Sequence, residues 1–160
     1  MPKTRLPYVV LDTNLYISFL TKEAHTYGAV KDLLEDNGQE FDIVLPAIVY
    51  TEVVSVARVI EARQSNTPEK RKNAAHIARR ALDGLGLPIA EIDQHVAEEA
   101  GKLIEGTELK AADALIVATA MSISATYLYT NDQQMLALNG TVDGLQIVQP
   151  PEPRRLPMEF

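Results

Sequence analysis

The chain has 160 residues, 46% of them hydrophobic and 23% charged, with a formal net charge of −7, the length and composition of one ordinary globular domain. Cysteine is absent, which excludes disulfides, thiolate metal sites and cysteine nucleophiles and suits a reducing cytoplasm. The acidic balance opposes broad non-specific adhesion to nucleic acid, although acids gathered around divalent metals reverse the local field.

Lys3 and Arg5 are followed by an apolar run that Asp12 ends after Val9–Leu11, so no signal peptide is expected. No stretch is apolar for the roughly 20 residues of a membrane span. Tyr8–Asp12 reads as a buried strand, short and β-branched without alternation. Leu15–Leu20 and Ala24–Leu34 read as helices, and Phe41–Pro46 as a second buried strand. Ala47–Arg63 carries Ile48, Val49, Glu52, Val56, Val59 and Ile60 on one helical stripe. After the polar break "QSNTPEKRKN", Thr67 as N-cap and Pro68 at the first helical position predict another helix. "GLGLPIAEID" holds a turn and a short strand, and His95–Glu105 and Lys110–Met121 are helical. Thr126–Thr130 is a strand, Asp132–Leu138 a short helix and Leu145–Pro150 a last strand. Apolar strands separated by helical segments predict a mostly parallel sheet of four to five strands covered on both faces. Residues 1–149 are expected to form this single domain, and the Pro-rich residues 150–160 an extended tail.

Four acids stand where a solvated surface does not explain them. Asp12 and Asp132 each follow a strand, and open α/β sheets bind ligands beyond the carboxyl ends of their strands. Capping is the alternative for each, but Thr13 or Asn14 is available to cap the first helix, and Asn131 the late one. Glu52 lies among Ile48, Val49 and Val56, and Asp113 among Ile116, Val117 and Ala120, so both are expected on inward helix faces, where an unpaired carboxylate costs several kcal/mol in order of magnitude. Four converging carboxylates repel one another and raise their own pKa values unless a cation neutralises them. Oxygen ligands without His or Cys suit Mg²⁺ or Mn²⁺ rather than Zn²⁺. His25, His76 and His95 have no metal-ligand spacing, and neither a phosphate-binding Gly-rich loop nor a serine nucleophile elbow is present.

With "VVLDTN", "YTEVV", "AADALIVATAM" and "YLYTND" in this order between Tyr8 and Leu138, the sequence resembles the PIN-domain family, and within it the VapC-type toxins of bacterial and archaeal toxin–antitoxin systems. The resemblance implies a three-layer α/β/α sandwich. It implies that Asp12, Glu52, Asp113 and Asp132 form the acidic metal site of a Mg²⁺- or Mn²⁺-dependent ribonuclease, with Asn14 and Thr130 orienting ligands or metal-bound water. It also implies a homodimer held inactive by a small cognate antitoxin. PIN domains of RNA processing and decay, and catalytically silent PIN-like binding modules, are the alternatives within the fold. A phosphatase or receiver domain fits less well, because Asp12-Thr13-Asn14 lacks the second aspartate of the phosphatase motif and no acidic pair precedes it. Lys70, Arg71, Lys72, Arg79 and Arg80 form the densest basic region; it reads either as a solvated helix face or as a contact for the RNA backbone.

Overall fold

A computed structural model describes residues 4–64 and 67–154, without the side chains of Val59, Ala62 and Arg63. Lys3, the Val59 position on the helical stripe and the tail beyond Arg154 therefore lie outside the described residues. In chain order the elements are β1 (Tyr8–Leu11), α1 (Thr13–Leu20), α2 (Tyr27–Asp36), β2 (Asp42–Ile43), β3 (Leu45–Pro46), α3 (Ala47–Gln64) and α4 (Pro68–Gly84). There follow β4 (Ile89–Ala90), α5 (Gln94–Gly106), α6 (Ala111–Ser122), β5 (Tyr127–Tyr129), α7 (Gln133–Leu136) and β6 (Gln146–Val148).

The main sheet runs β2-β1-β5-β6 with every pair parallel, as the alternation of apolar strands and helices predicts. The central strands are apolar because both of their faces are covered; Val9, Val10, Leu11 and Leu128 are fully buried. Leu11 is in register with Tyr129, and Tyr129 with Val148, so these strands end together. The chain leaves β1 toward β2 on one side and reaches β5 on the other. The reversal of direction opens a crevice at the carboxyl ends of β1 and β5, where ligands of open α/β sheets bind.

Helices flank the sheet: α1 packs on α2 and α3, α3 on α4 and α6, and α5 on α6. α6 is apolar nearly all round and accordingly buried over Ala114 and Ile116–Ala120. No helix among the described residues is long and apolar enough to cross a membrane.

Three local expectations are corrected. Phe41–Pro46 is not one strand. Val44 still donates its N–H to Val9 O, but Leu45 donates to Pro88 O, and Leu45–Pro46 pairs with Ile89–Ala90 in a separate two-stranded sheet. Pro46 has no N–H for a ladder, which limits it to such an edge. The second helix starts at Tyr27 rather than Ala24. Lys22 takes a left-handed φ of 55° after α1, and residues 23–25 are exposed, so no packing holds them helical. The first helix begins at Thr13, two residues before Leu15, for a reason that lies in the site.

Candidate metal centre

Buried polar side chains are the informative ones in a core. Among the described residues they are Asp12, Thr13, Ser18, Thr119 and Thr130, and Asp12, Thr13 and Thr130 meet beyond the carboxyl ends of β1 and β5. Asp12 extends the β1–β5 ladder by one bond, donating its N–H to Tyr129 O at 3.0 Å. Its side chain is 3% exposed, and both carboxylate oxygens are met. Thr13 N–H donates to Oδ1 at 2.7 Å, and the Thr130 hydroxyl donates to Oδ2 at 2.7 Å.

Asp12 is thus the N-cap of α1, contrary to the expectation that Thr13 or Asn14 would relieve it of that role. Thr13 is occupied elsewhere: its hydroxyl donates to Glu52 Oε2 at 2.6 Å. Capping and membership of an acidic centre therefore coexist in Asp12. Burial is the main cause that raises the Asp12 pKa, to about 6; the bonds from Thr130 and Thr13 oppose it, and the charges of Asp113 and Asp132 add to it.

Thr130 is a two-way link. Besides donating to Asp12, its hydroxyl accepts the N–H of Asp132 at 2.9 Å. Asp132 caps α7 through Oδ1, which accepts Met135 N–H at 2.9 Å. The neighbouring Asn131 is exposed and does not supply the cap.

Glu52 and Asp113 reach the same region from helices. Glu52 stands in the second turn of α3 and Asp113 in the first turn of α6; each is half-buried rather than enclosed. Burial raises the Asp113 pKa first, then the charges of Asp132 and Glu52, against a lowering effect of Lys110. The charges of Asp113 and Asp132 act on Asp12, and those of Asp132 and Glu52 on Asp113, so Asp113 links acids arriving from β1, α3 and the β5–α7 junction. No group of three or more His, Cys, Asp or Glu side chains among the described residues is placed to hold a metal ion as it stands. The donor set nevertheless fits a hard divalent cation: it is all oxygen, its negative charge is largely unbalanced, and Mg²⁺ takes one or two carboxylates directly while keeping several waters.

The remaining candidates separate in space. Asn14 is exposed on the first turn of α1 and is not among the hydrogen-bonded members of this network. α3 and α4 form a hairpin whose register is marked by the Tyr50 hydroxyl donating to Asp83 Oδ1 at 2.8 Å. Lys70, Arg71 and Lys72, at the start of α4, therefore lie beside the far end of α3, roughly 15 Å along the axis from Glu52 at 1.5 Å per residue. Arg79 and Arg80 lie beside the Glu52 end, with Arg79 Nη1 at 3.4 Å from Asp83 Oδ2. The residue whose role the sequence did not disclose is Thr13; its position beside Asp12 is the only local sign, and its partner Glu52 is 39 positions away.

The family profile described as "PIN domain" matches residues 9–140. No curated protein sequence matches the chain at a significant level. Among solved structures, a toxin–antitoxin complex from Klebsiella pneumoniae aligns with TM-score 0.60 and 23% identity, covering 90% of this chain and 98% of that one. FitAcB from Neisseria gonorrhoeae aligns with TM-score 0.60 and 22% identity over 89% of this chain and 97% of its own. VapC20 from Mycobacterium tuberculosis, a toxin that cleaves the sarcin–ricin loop, aligns with TM-score 0.59 and 15% identity over 78% and 90%. At these identities the likeness is one of fold.

Proposed function

Since this chain belongs to the PIN-domain family, we propose that it is a divalent-metal-dependent endoribonuclease and the toxin of a type II toxin–antitoxin pair, acting in the cytoplasm. The observation that carries the reading is that Thr13 joins Asp12 to Glu52 and Thr130 joins Asp12 to Asp132 at the crevice between β1 and β5, with Asp113 close enough to act on Asp12. Burial and neighbouring carboxylates raise the pKa values of Asp12 and Asp113, which costs stability, and such groups gather where function requires them.

Asp12, Glu52, Asp113 and Asp132 would hold Mg²⁺ or Mn²⁺, in part through water, and the ion supplies charge stabilisation at a phosphoryl oxygen and a water of lowered pKa. The chain's own part is to fix the oxygens. Thr130 and the Thr13 N–H lock the Asp12 carboxylate, while the Thr13 hydroxyl holds Glu52. Asp113 and Asp132 remain half-exposed and would be the acids open to substrate. Arg79 and Arg80, at the Glu52 end of the α3–α4 hairpin, are better placed than Lys70, Arg71 and Lys72 to meet RNA phosphates near the centre.

The antitoxin reading has separate support. The K. pneumoniae structure is a complex of this kind. Here a groove of about 380 Å³ between α1, α3 and α4 is lined by apolar side chains including Ile17, Leu20, Val53, Val56, Ile60 and Ile77. Ile77 is 61% exposed, and apolar surface of this sort seeks a partner. A homodimer completes the proposed assembly.

The test is cleavage of single-stranded RNA by purified protein with Mn²⁺ or Mg²⁺, abolished by chelator and by Asp113→Asn. Cleavage that survives Asp113→Asn in a contaminant-free preparation discards the site. A folded wild type that neither cleaves RNA nor takes up Mn²⁺ in a titration points instead to a silent binding module.

A further inference from the structure

A second pocket adjoins the acidic centre. It has a volume of about 300 Å³, and its lining includes His25, Asn131, Gln149, Pro150, Pro151 and Pro153. Asn131 ties it to the centre, since it stands between Thr130 and Asp132. Gln149 directly follows β6, so the pocket lies at the same carboxyl edge of the sheet as Asp12.

One wall of this pocket is the C-terminal tail, which is not left loose. Arg154 donates from Nη1 to Asp36 Oδ1 at 2.9 Å and from its backbone N–H to Asp32 Oδ2 at 2.6 Å. Its guanidinium is also 3.6 Å from Glu35. Pro153 sits on α2 at Gly28, where an added Cβ would come within 3.1 Å of the Pro153 Cβ. A forked guanidinium on several carboxylates gives a defined geometry, and proline fixes φ along the tail. The strap thus holds Gln149 and the prolines across from His25.

The polar lining also includes Thr26 and the carboxylate of Glu152, an acceptor for an exocyclic amine, and its donors and acceptors suit a base edge. Asn and Gln amides each carry a donor pair and an acceptor, the set that reads a base edge. Among the described residues the His25 imidazole is the one aromatic face in the lining, and unstacked RNA bases stack on such faces. The volume is at the low end of small-ligand pockets, roughly 300–1,000 Å³, which suits one base and not a duplex.

We propose that this pocket is a base-selecting subsite, which takes one unpaired nucleobase beside the scissile phosphodiester and reads it with Asn131 and Gln149. The substrate class rests on the ribonuclease reading, whereas the pocket and its strap stand on the geometry alone.

The experiment has a binding arm and a cleavage arm, each run with wild type, Asn131→Ala and Gln149→Ala. Both side chains are exposed, so neither change removes core packing. In chelator, anisotropy measures binding of labelled A, C and U hexaribonucleotides; in Mn²⁺, sequencing maps cuts in a randomised single-stranded RNA. The wild type is expected to discriminate among bases by about 10-fold or more, and each variant to reduce that spread to about threefold, since a good paired contact to a base is worth roughly 10- to 100-fold. An unchanged spread in both variants, or no base dependence in the wild type in either arm, overturns the subsite. Base-dependent binding that the variants lose, in a protein that cuts no RNA, keeps the subsite and discards the ribonuclease. Cutting with an identical base profile in all three proteins does the reverse.

Discussion

The Thr13 hydroxyl donates to Glu52 Oε2 at 2.6 Å while the Thr13 N–H donates to Asp12 Oδ1 at 2.7 Å. One residue therefore fixes two acids of the centre, one on the sheet's edge and one on α3. Thr13→Val keeps the shape and removes the hydroxyl. It is expected to leave Glu52 free to swing and to lower kcat about 10-fold or more, since a small misplacement at a reacting centre is costly. Thr13→Ser should retain most activity. A fully active Thr13→Val, measured with Mn²⁺ at saturation, shows that Glu52 needs no such anchor.

Asp12 makes metal-free stability depend on pH. Its folded pKa is about 6 against an ordinary value of 3.8. Between these values the folded state keeps a proton that the unfolded state has released, so stability falls as pH rises through this window. The cost is complete above pH 6 and is on the order of 3 kcal/mol. In the presence of chelator the melting temperature should therefore rise as pH is lowered from 7 toward 5. Asp12→Asn should flatten that slope and melt higher at pH 7 while losing activity, an exchange of stability for function. An unchanged slope in Asp12→Asn assigns the pH dependence to another group.

Tyr16 is fully buried on α1, and its hydroxyl has no hydrogen-bond partner among the described residues. Burial alone pushes its ionisation above the usual tyrosine range. Removing a desolvated, unpartnered hydroxyl is neutral or favourable. Tyr16→Phe is expected to match the wild type or gain about 1 kcal/mol in urea unfolding. A loss of that size would contradict the assigned surroundings of the hydroxyl.

Ile77 is the most exposed large hydrophobic residue on the groove between α1, α3 and α4. Ile77→Asp places a charge where an apolar partner side chain would seat, at little cost to the isolated fold. Affinity for the co-purified antitoxin should fall at least 10-fold, as expected for a central apolar contact, with ribonuclease activity intact. Undiminished binding in a titration calorimeter moves the antitoxin to another face.

Much of the architecture was legible because it follows from short-range pattern. Val9–Leu11 and Tyr127–Tyr129 are short apolar runs, β-branched or aromatic, that read as central strands, and Pro68 after Thr67 marks a helix start by its fixed φ. The break between β2 and β3 was not legible. The residues on both sides of Val44 are equally apolar, and only the arrival of Pro88 as an acceptor for Leu45 draws the chain into a second sheet. The course of the tail was also hidden, because Arg154 finds Asp32 and Asp36 across more than a hundred positions.

By itself the sequence determined which acids are out of place. A carboxylate after an apolar strand, or among apolar neighbours one helical turn away, is costly wherever the chain goes, and that cost can be read locally. Which donors meet those acids was decided by tertiary structure. Parallel pairing in register brings Thr130 beside Asp12, and the packing of α3 on α1 brings Glu52 to Thr13. Hydrogen bonds act over about 3 Å, and only folding brings positions so distant in sequence within that range.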